Sequence, residues 1–179
     1  MNFLPKNEDG TEYEVPASAG NYMRFEQGDN KFRVLSSAIV GWVGWVKEEG
    51  KPVPKRFRMD EKPIDLTQFE KQKINHFWAF VIWNYQIEKV QILEITQKGI
   101  MKTIKTYTED EDRGDPKEYD IVINREGEDL NTKYGVSVKP KKELSSEAKQ
   151  EYEETKVELE ALFEGKDPFG EKEEDDLPY

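Results

Sequence analysis

The sequence predicts a mainly β fold: a five-stranded barrel with one helix between strands 3 and 4, then a C-terminal helix and a disordered acidic tail. Three observations predict it. Apolar and aromatic residues alternate, or run on both parities, in short segments separated by turn residues. Near residue 100 the apolar positions recur instead every three to four residues. The charge is also unevenly divided: of the formal net −11, residues 1–142 carry −1 (23 Lys and Arg against 24 Asp and Glu) and residues 143–179 carry −10 (4 against 14).

Each element can be justified in order. Residues 1–21 are polar, with Gly, Pro, Ala and Ser near their end, and read as a flexible arm ahead of a folded domain over 22–140. In the first strand, 30–47, Phe32, Val34, Ala38, Val40 and Trp42 share one parity. Ser36-Ser37, Gly41 and Gly44 interrupt it, as bulges and coiling in a barrel strand require. Glu48-Glu49-Gly50 turns the chain into a strand over 51–59, and residues 64–74 connect, with room for a short helix. Residues 76–85 are aromatic on both parities, Phe77, Ala79, Val81 and Trp83 against Trp78, Phe80 and Ile82. A hairpin turn at 86–89 leads to a strand over 90–95.

Thr96 then reads as the N-cap of a helix to Thr108, with Ile100, Met101, Ile104 and Tyr107 on one face. An acidic loop over 109–117 precedes two closing strands, 119–124 and 133–139. Strands, one helix and two more strands follow the order of an OB-fold. After Pro140, residues 141–165 hold a second helix, capped by Ser145 and stopped by Gly165. Its stripe of Ala148, Tyr152, Thr155, Leu159 and Leu162 can be covered by the barrel, by a second copy of the chain in a homo-oligomer, or by a partner on binding. Residues 166–179 read as the disordered tail.

Composition excludes several chemistries. The chain has no cysteine, so disulfides and thiolate zinc sites are impossible. Its first residues hold no apolar signal-type run and no segment approaches a membrane span, so the expectation is a cytoplasmic protein without membrane partners. Gly44 to Gly50-Lys51 misses the phosphate-loop spacing by one residue and has Pro52 where a Ser or Thr is needed. The acidic loop places Arg113 where a calcium ligand should stand. Arg113-Gly114-Asp115 has the letters of an adhesion motif, without a signal-type run to expose it outside a cell. His76 is the lone histidine, and neither a zinc site nor a catalytic triad assembles around it. No catalysis, cofactor or metal is expected.

The pI of 4.8 argues against a nucleic-acid partner, but it averages unlike regions. Residues 22–105 hold 15 basic against 10 acidic residues, and 106–130 hold 3 against 10. Within the basic region aromatic and cationic side chains interleave: Arg33, Trp42, Trp45, Lys47, Lys51, Lys55, Arg56, Phe57, Arg58, Lys73, His76 and Trp78. Flat side chains stack bases of any identity and cations follow the phosphates, which is what sequence-tolerant binding of a single strand needs. Small barrels also need bulky inward residues, and Phe32, Phe77 and Trp83 are assigned to the core on that ground. In the tail, an acidic run collapses onto Asp175, Asp176, Leu177, Pro178 and Tyr179, an apolar anchor with charges around it that suits a basic-rimmed pocket on a partner. The same charges could instead occupy the basic groove of the body.

The segments Asn30-Lys31-Phe32-Arg33-Val34-Leu35, Phe77-Trp78-Ala79-Phe80, Ile92-Leu93-Glu94-Ile95-Thr96-Gln97-Lys98 and Glu118-Tyr119-Asp120-Ile121 resemble segments of tailed-bacteriophage single-stranded-DNA-binding proteins. That resemblance implies an OB-fold that coats single-stranded DNA during phage DNA replication and recombination. The tip from Asp175 to Tyr179 resembles the acidic tip of bacterial single-stranded-DNA-binding proteins, which implies recruitment of replication or recombination proteins; it ends in tyrosine where bacterial tips usually have phenylalanine. Two rival functions come from the residues themselves. An acidic interaction protein, such as a DNA mimic, would use the acidic loop and tail, and an RNA-binding OB module would use the same aromatic strands.

Overall fold

A computed structural model describes residues 3–13 and 20–170 of the chain. Seven antiparallel strands are ordered by one hub, β4 (Ile74–Asn84). Along one edge, the first half of β4 pairs with β2 (Ile39–Glu48), from Ile39↔Ala79 to Gly44↔Ile74, and its second half with β1 (Gly28–Val34). Along the other edge it pairs with β5 (Lys89–Ile95). A hairpin adds β3 (Lys51–Arg58) to β2, while β6 (Tyr119–Glu126) pairs with β1 and β7 (Lys133–Lys141) with β6.

The expected single strand over 30–47 is therefore two strands on the same edge of β4. Between them the Leu35 N–H still donates to the Val81 carbonyl at 2.8 Å, and the Val81 N–H donates to the Ser36 hydroxyl at 2.9 Å. Ser36 thus supplies from its side chain the acceptor that the broken ladder has lost.

The five-stranded closed barrel is not what forms. The sheet has seven strands and is open, because no ladder joins β5 to β7. The helix α1 (Lys98–Glu109) accordingly lies between the fifth and sixth strands. The N-terminal segment borders that opening: Met23 N donates to Ile92 O and Ile92 N to Asn21 O, a parallel bridge on the outer edge of β5. Phe25 meets the Tyr134 ring of β7 edge-on at 5.9 Å, and Arg125 Nη1 of β6 donates to the Phe25 carbonyl. An unpaired sheet edge is thereby covered.

The continuous apolar run of β4 has a simple cause: both of its faces are buried. Phe80 and Ile82 face Phe32, Leu93, Ile95, Ile121 and Ile123, and α1 closes this inner core with Ile100, Met101 and Ile104. Phe77, Ala79, Val81 and Trp83 point the other way, with Val43, Val90 and Ile92. The C-terminal segment lies on that outer face, through Ala148, Tyr152, Val157, Leu159, Leu162, Phe163 and Phe169. Phe32, Phe77 and Trp83 are buried, as the sequence predicts.

Three expectations change, two for the helices and one for the tail. Thr96 does not cap α1, whose N-cap is Gln97 without a side-chain cap bond. The second helix, α2 (Ser146–Thr155), is capped by the Ser145 hydroxyl, which accepts from Ala148 N, but it ends at Lys156 in a left-handed conformation (φ 48°). Residues two apart lie on opposite sides of a helix, yet Val157 and Leu159 both pack on the sheet, so the chain must unwind there. A 3-10 segment, Leu159–Glu164, resumes and stops at Gly165 in the left-handed region. Residues 166–170 are not a loose tail: Pro168 is buried and Phe169 packs on the outer core.

Candidate nucleic-acid interface

The β2–β4 register sets the site. Trp42 lies opposite His76 and Val40 opposite Trp78, and side chains two apart on a strand share a face, so Trp42, His76 and Trp78 project from one surface. The Trp42 and His76 rings stand 5.2 Å apart at 58°. Each is held from behind. Trp42 Nε1 donates to the Met59 carbonyl at 3.1 Å, and His76 Nδ1 donates to the Gly41 carbonyl at 2.8 Å, which leaves Nε2 as the second ring nitrogen available for a ligand.

Three adjoining hollows run along these rings. The first, about 480 Å³, lies between Trp42, Met59, Lys62, Lys73, His76 and Lys98. The second, about 240 Å³, shares His76 and Lys98 and adds Trp78, Lys102 and Lys105. The third, about 380 Å³, shares Trp78 and is apolar, with Val34, Ala38, Phe80, Ile104 and Pro116 as walls and Lys117 at its edge. Together they form one groove between the β2–β4 face and α1. Lys98, Lys102 and Lys105 sit four and three residues apart, so the helix that buries Ile100, Met101 and Ile104 turns its lysine row to this groove. Lys62 Nζ stands 4.1 Å from the centroid of a Trp42 ring, a cation–π contact. Among the described residues Lys62, Lys73, Lys98, Lys102 and Lys117 make no ion pair, whereas Lys105 pairs with Glu109.

Of the residues expected at the interface, the structure brings together Trp42, Lys73, His76 and Trp78. The others lie elsewhere. Arg33 is 1% exposed, and its Nε donates to Asp120 at 2.7 Å, so it is an interior ion pair rather than a surface phosphate contact. Arg56 and Arg58 belong to the opposite face. Arg56 Nε donates to Glu94 at 2.7 Å beside the Phe77 ring, and Arg58 Nη1 donates to Glu160 at 2.6 Å over the Phe163 ring. Alternation is the reason: β3 pairs Arg56 with Val43 and Arg58 with Gly41, whose side of the sheet holds the outer core. Phe57 shares the groove side but is occupied by an edge-on contact with Phe69 at 5.9 Å. Lys47 pairs with Glu70 and Lys55 with Glu48, while Lys51 is exposed in the hairpin turn region. Asp175, Asp176, Leu177, Pro178 and Tyr179 lie outside the described residues.

Trp45 is 42% exposed and borders a different hollow, with Tyr22, Arg24, Phe25, Arg56 and Tyr134. This hollow is also aromatic, but Glu94 neutralises Arg56 and leaves Arg24 as its cation. Five lysines without ion pairs among the described residues, against Asp115 as the groove's one lining carboxylate, give the α1 groove the larger positive excess of the two. Lys62, Lys98, Lys102, Lys105 and Lys117 were not among the expected contacts. The lysine row of α1 was readable as the polar side of an amphipathic helix; Lys62 and Lys117 carry no sequence signal, because loops bring them in.

No protein-family model, curated protein or solved structure matches this chain. Among the described residues no group of three His, Asp or Glu side chains is placed to hold a metal, and no helix is long and apolar enough to cross a membrane.

Proposed function

We propose that this chain binds single-stranded DNA without sequence preference, as the tailed-phage single-stranded-DNA-binding proteins do in replication and recombination, and does no catalysis. The observation that carries the reading is the groove: Trp42, His76 and Trp78 in line, with Lys62, Lys73, Lys98 and Lys102 around them. Bases stack on the rings and the lysines neutralise phosphates, contacts that any base sequence can make. The strand order supports an opened OB-type sheet. If β1 and β2 count as one bent strand, the pairings β1/β2–β4, β4–β5, β1–β6 and β6–β7, with α1 between β5 and β6, follow the OB sequence, and β3 is an added hairpin strand. The acidic tip then serves to recruit replication or recombination proteins.

Oligo-dT titrated against intrinsic tryptophan fluorescence tests the proposal. Trp42→Ala and Trp78→Ala should each weaken binding by ~1–3 kcal/mol, and Trp45→Ala should not. No quenching in the full chain would refute the function. Loss confined to Trp45→Ala would move the strand to the hollow around Tyr22 and Tyr134.

A further inference from the structure

The largest fully buried side chain among the described residues is a cation whose charge is only partly met. Arg33 is 1% exposed; its Nε donates to Asp120 Oδ1 and its Nη1 to the Lys117 carbonyl at 3.3 Å. Its Nη2 is buried without a hydrogen-bond partner. Asp120 is also shared, accepting from Tyr85 Oη at 2.7 Å and standing 3.6 Å from Lys31 Nζ. A buried guanidinium with an unmet donor is costly, and an anion brought to it recovers that cost.

Arg33 lines a cleft of about 530 Å³ between the β6–β7 end of the sheet and the start of α2. Lys117, Lys141, Lys142 and Lys149 surround it, so with Arg33 five cations face two carboxylates, Glu118 and Glu143. Glu118 engages Lys141 at 3.5 Å and Glu143 engages Lys149 at 3.0 Å. Lys117 and Lys142 make no ion pair among the described residues. With Asp120, which Arg33 already engages, counted against them, an excess of two positive charges remains on a chain of net −11.

We propose that this cleft is a second anion site, which takes a phosphate group: Arg33 at its floor supplies a directed donor, and Lys117 and Lys142 supply mobile charge from the rim. Arginine suits the floor because its planar donors match phosphate oxygens, and lysine suits the rim as a flexible point charge. Two sources provide such a group, a free phosphate or a backbone phosphate of a bound strand. Lys117 also edges the apolar hollow beside Trp78, so the cleft adjoins the groove.

The test follows the side-chain N–H signals of Arg33 in the full chain by NMR during titration with inorganic phosphate, with chloride at equal ionic strength as the control. A saturable shift with phosphate alone is expected. Lys117→Gln/Lys142→Gln, which changes only exposed side chains, should weaken it by about tenfold, of the order that loss of charged contacts produces. Absence of a saturable shift, or equal affinity in the double variant, would overturn the site. Oligo-dT of increasing length then separates the sources. Arg33 shifts that begin only beyond the length filling the groove assign a backbone phosphate; phosphate-dependent shifts with no response to any oligonucleotide assign a free anion. Because inorganic phosphate is the probe, failure of the groove reading would leave this result standing.

Discussion

Replacing Lys98 and Lys102 with glutamine asks whether the lysine row of α1 follows a nucleic-acid backbone. Both side chains are exposed and neither makes an ion pair among the described residues, so the double change should alter stability by no more than ~0.5 kcal/mol. Each phosphate neutralised on a single strand contributes about 0.7 to the slope of log affinity against log salt, so two lost contacts flatten it by about 1.4. Between 50 and 200 mM salt, a fourfold change, the native chain should then lose roughly sevenfold more affinity than the variant. The assay is tryptophan quenching by oligo-dT at five salt concentrations across that range, with unfolding midpoints measured alongside. Lys105→Gln is an internal comparison: Glu109 already neutralises part of its charge, so it should flatten the slope less than either neighbour. An unchanged slope in the double variant, with the fold intact, would refute the placement of the strand along α1.

Arg56→Gln should lower stability by about 1.5–3 kcal/mol, since it strips Glu94 of a charged hydrogen bond in a largely buried pair, and should leave the salt slope unchanged; urea midpoints and quenching curves read the two separately. A chain ending at Gly170 should bind oligo-dT as the full chain does. One ending at Pro140 should fail to fold, because it loses eight apolar side chains from the outer core, the larger ones each worth up to ~1.5–3 kcal/mol, against a typical total stability of about 5–15 kcal/mol. Circular dichroism of the two truncations decides this. Burial and the Tyr85–Asp120 hydrogen bond raise the Tyr85 phenol well above its ordinary range. Above about pH 10 the unfolded chain releases that proton while the folded one keeps it, so stability is complete below pH 10 and falls as pH rises further. Tyr85→Phe should flatten that alkaline decline in urea midpoints; an unaltered decline would assign it to other groups.

What could be read in advance was set by local pattern. The β4 run, the hairpin to β5 and the α1 stripe of Ile100, Met101 and Ile104 each follow from neighbours in sequence, and they appear where expected. Closure was not legible, because it depends on whether β5 finds β7, and the chain instead borders that gap with Asn21, Met23 and Phe25. Interface residues divided for the same reason. Trp42, His76 and Trp78 alternate on adjacent strands in one register, so one face holds all three. Arg56 and Arg58 have the same chemistry as a phosphate contact, but a one-residue difference in parity turns them to the other face, where Glu94 and Glu160 wait. Arg33 was misread as surface because its partner, Asp120, lies 87 residues away.

The two faces of the sheet also differ in how their charges are met. Pro168 is buried and Phe169 packs on the outer core beside Phe77 and Leu162, on the side of the sheet opposite Trp42, His76 and Trp78. Packed layers are about 10 Å apart, and the screening length at physiological salt is about 8 Å, so charge on the outer side is largely hidden from the groove. Lys62, Lys73, Lys98 and Lys102 of the groove make no ion pair among the described residues, while the outer face answers its arginines with Glu94 and Glu160 from the folded body. Carboxylates of the folded body therefore neutralise the outer-face arginines and leave the groove lysines to the strand proposed to lie along α1.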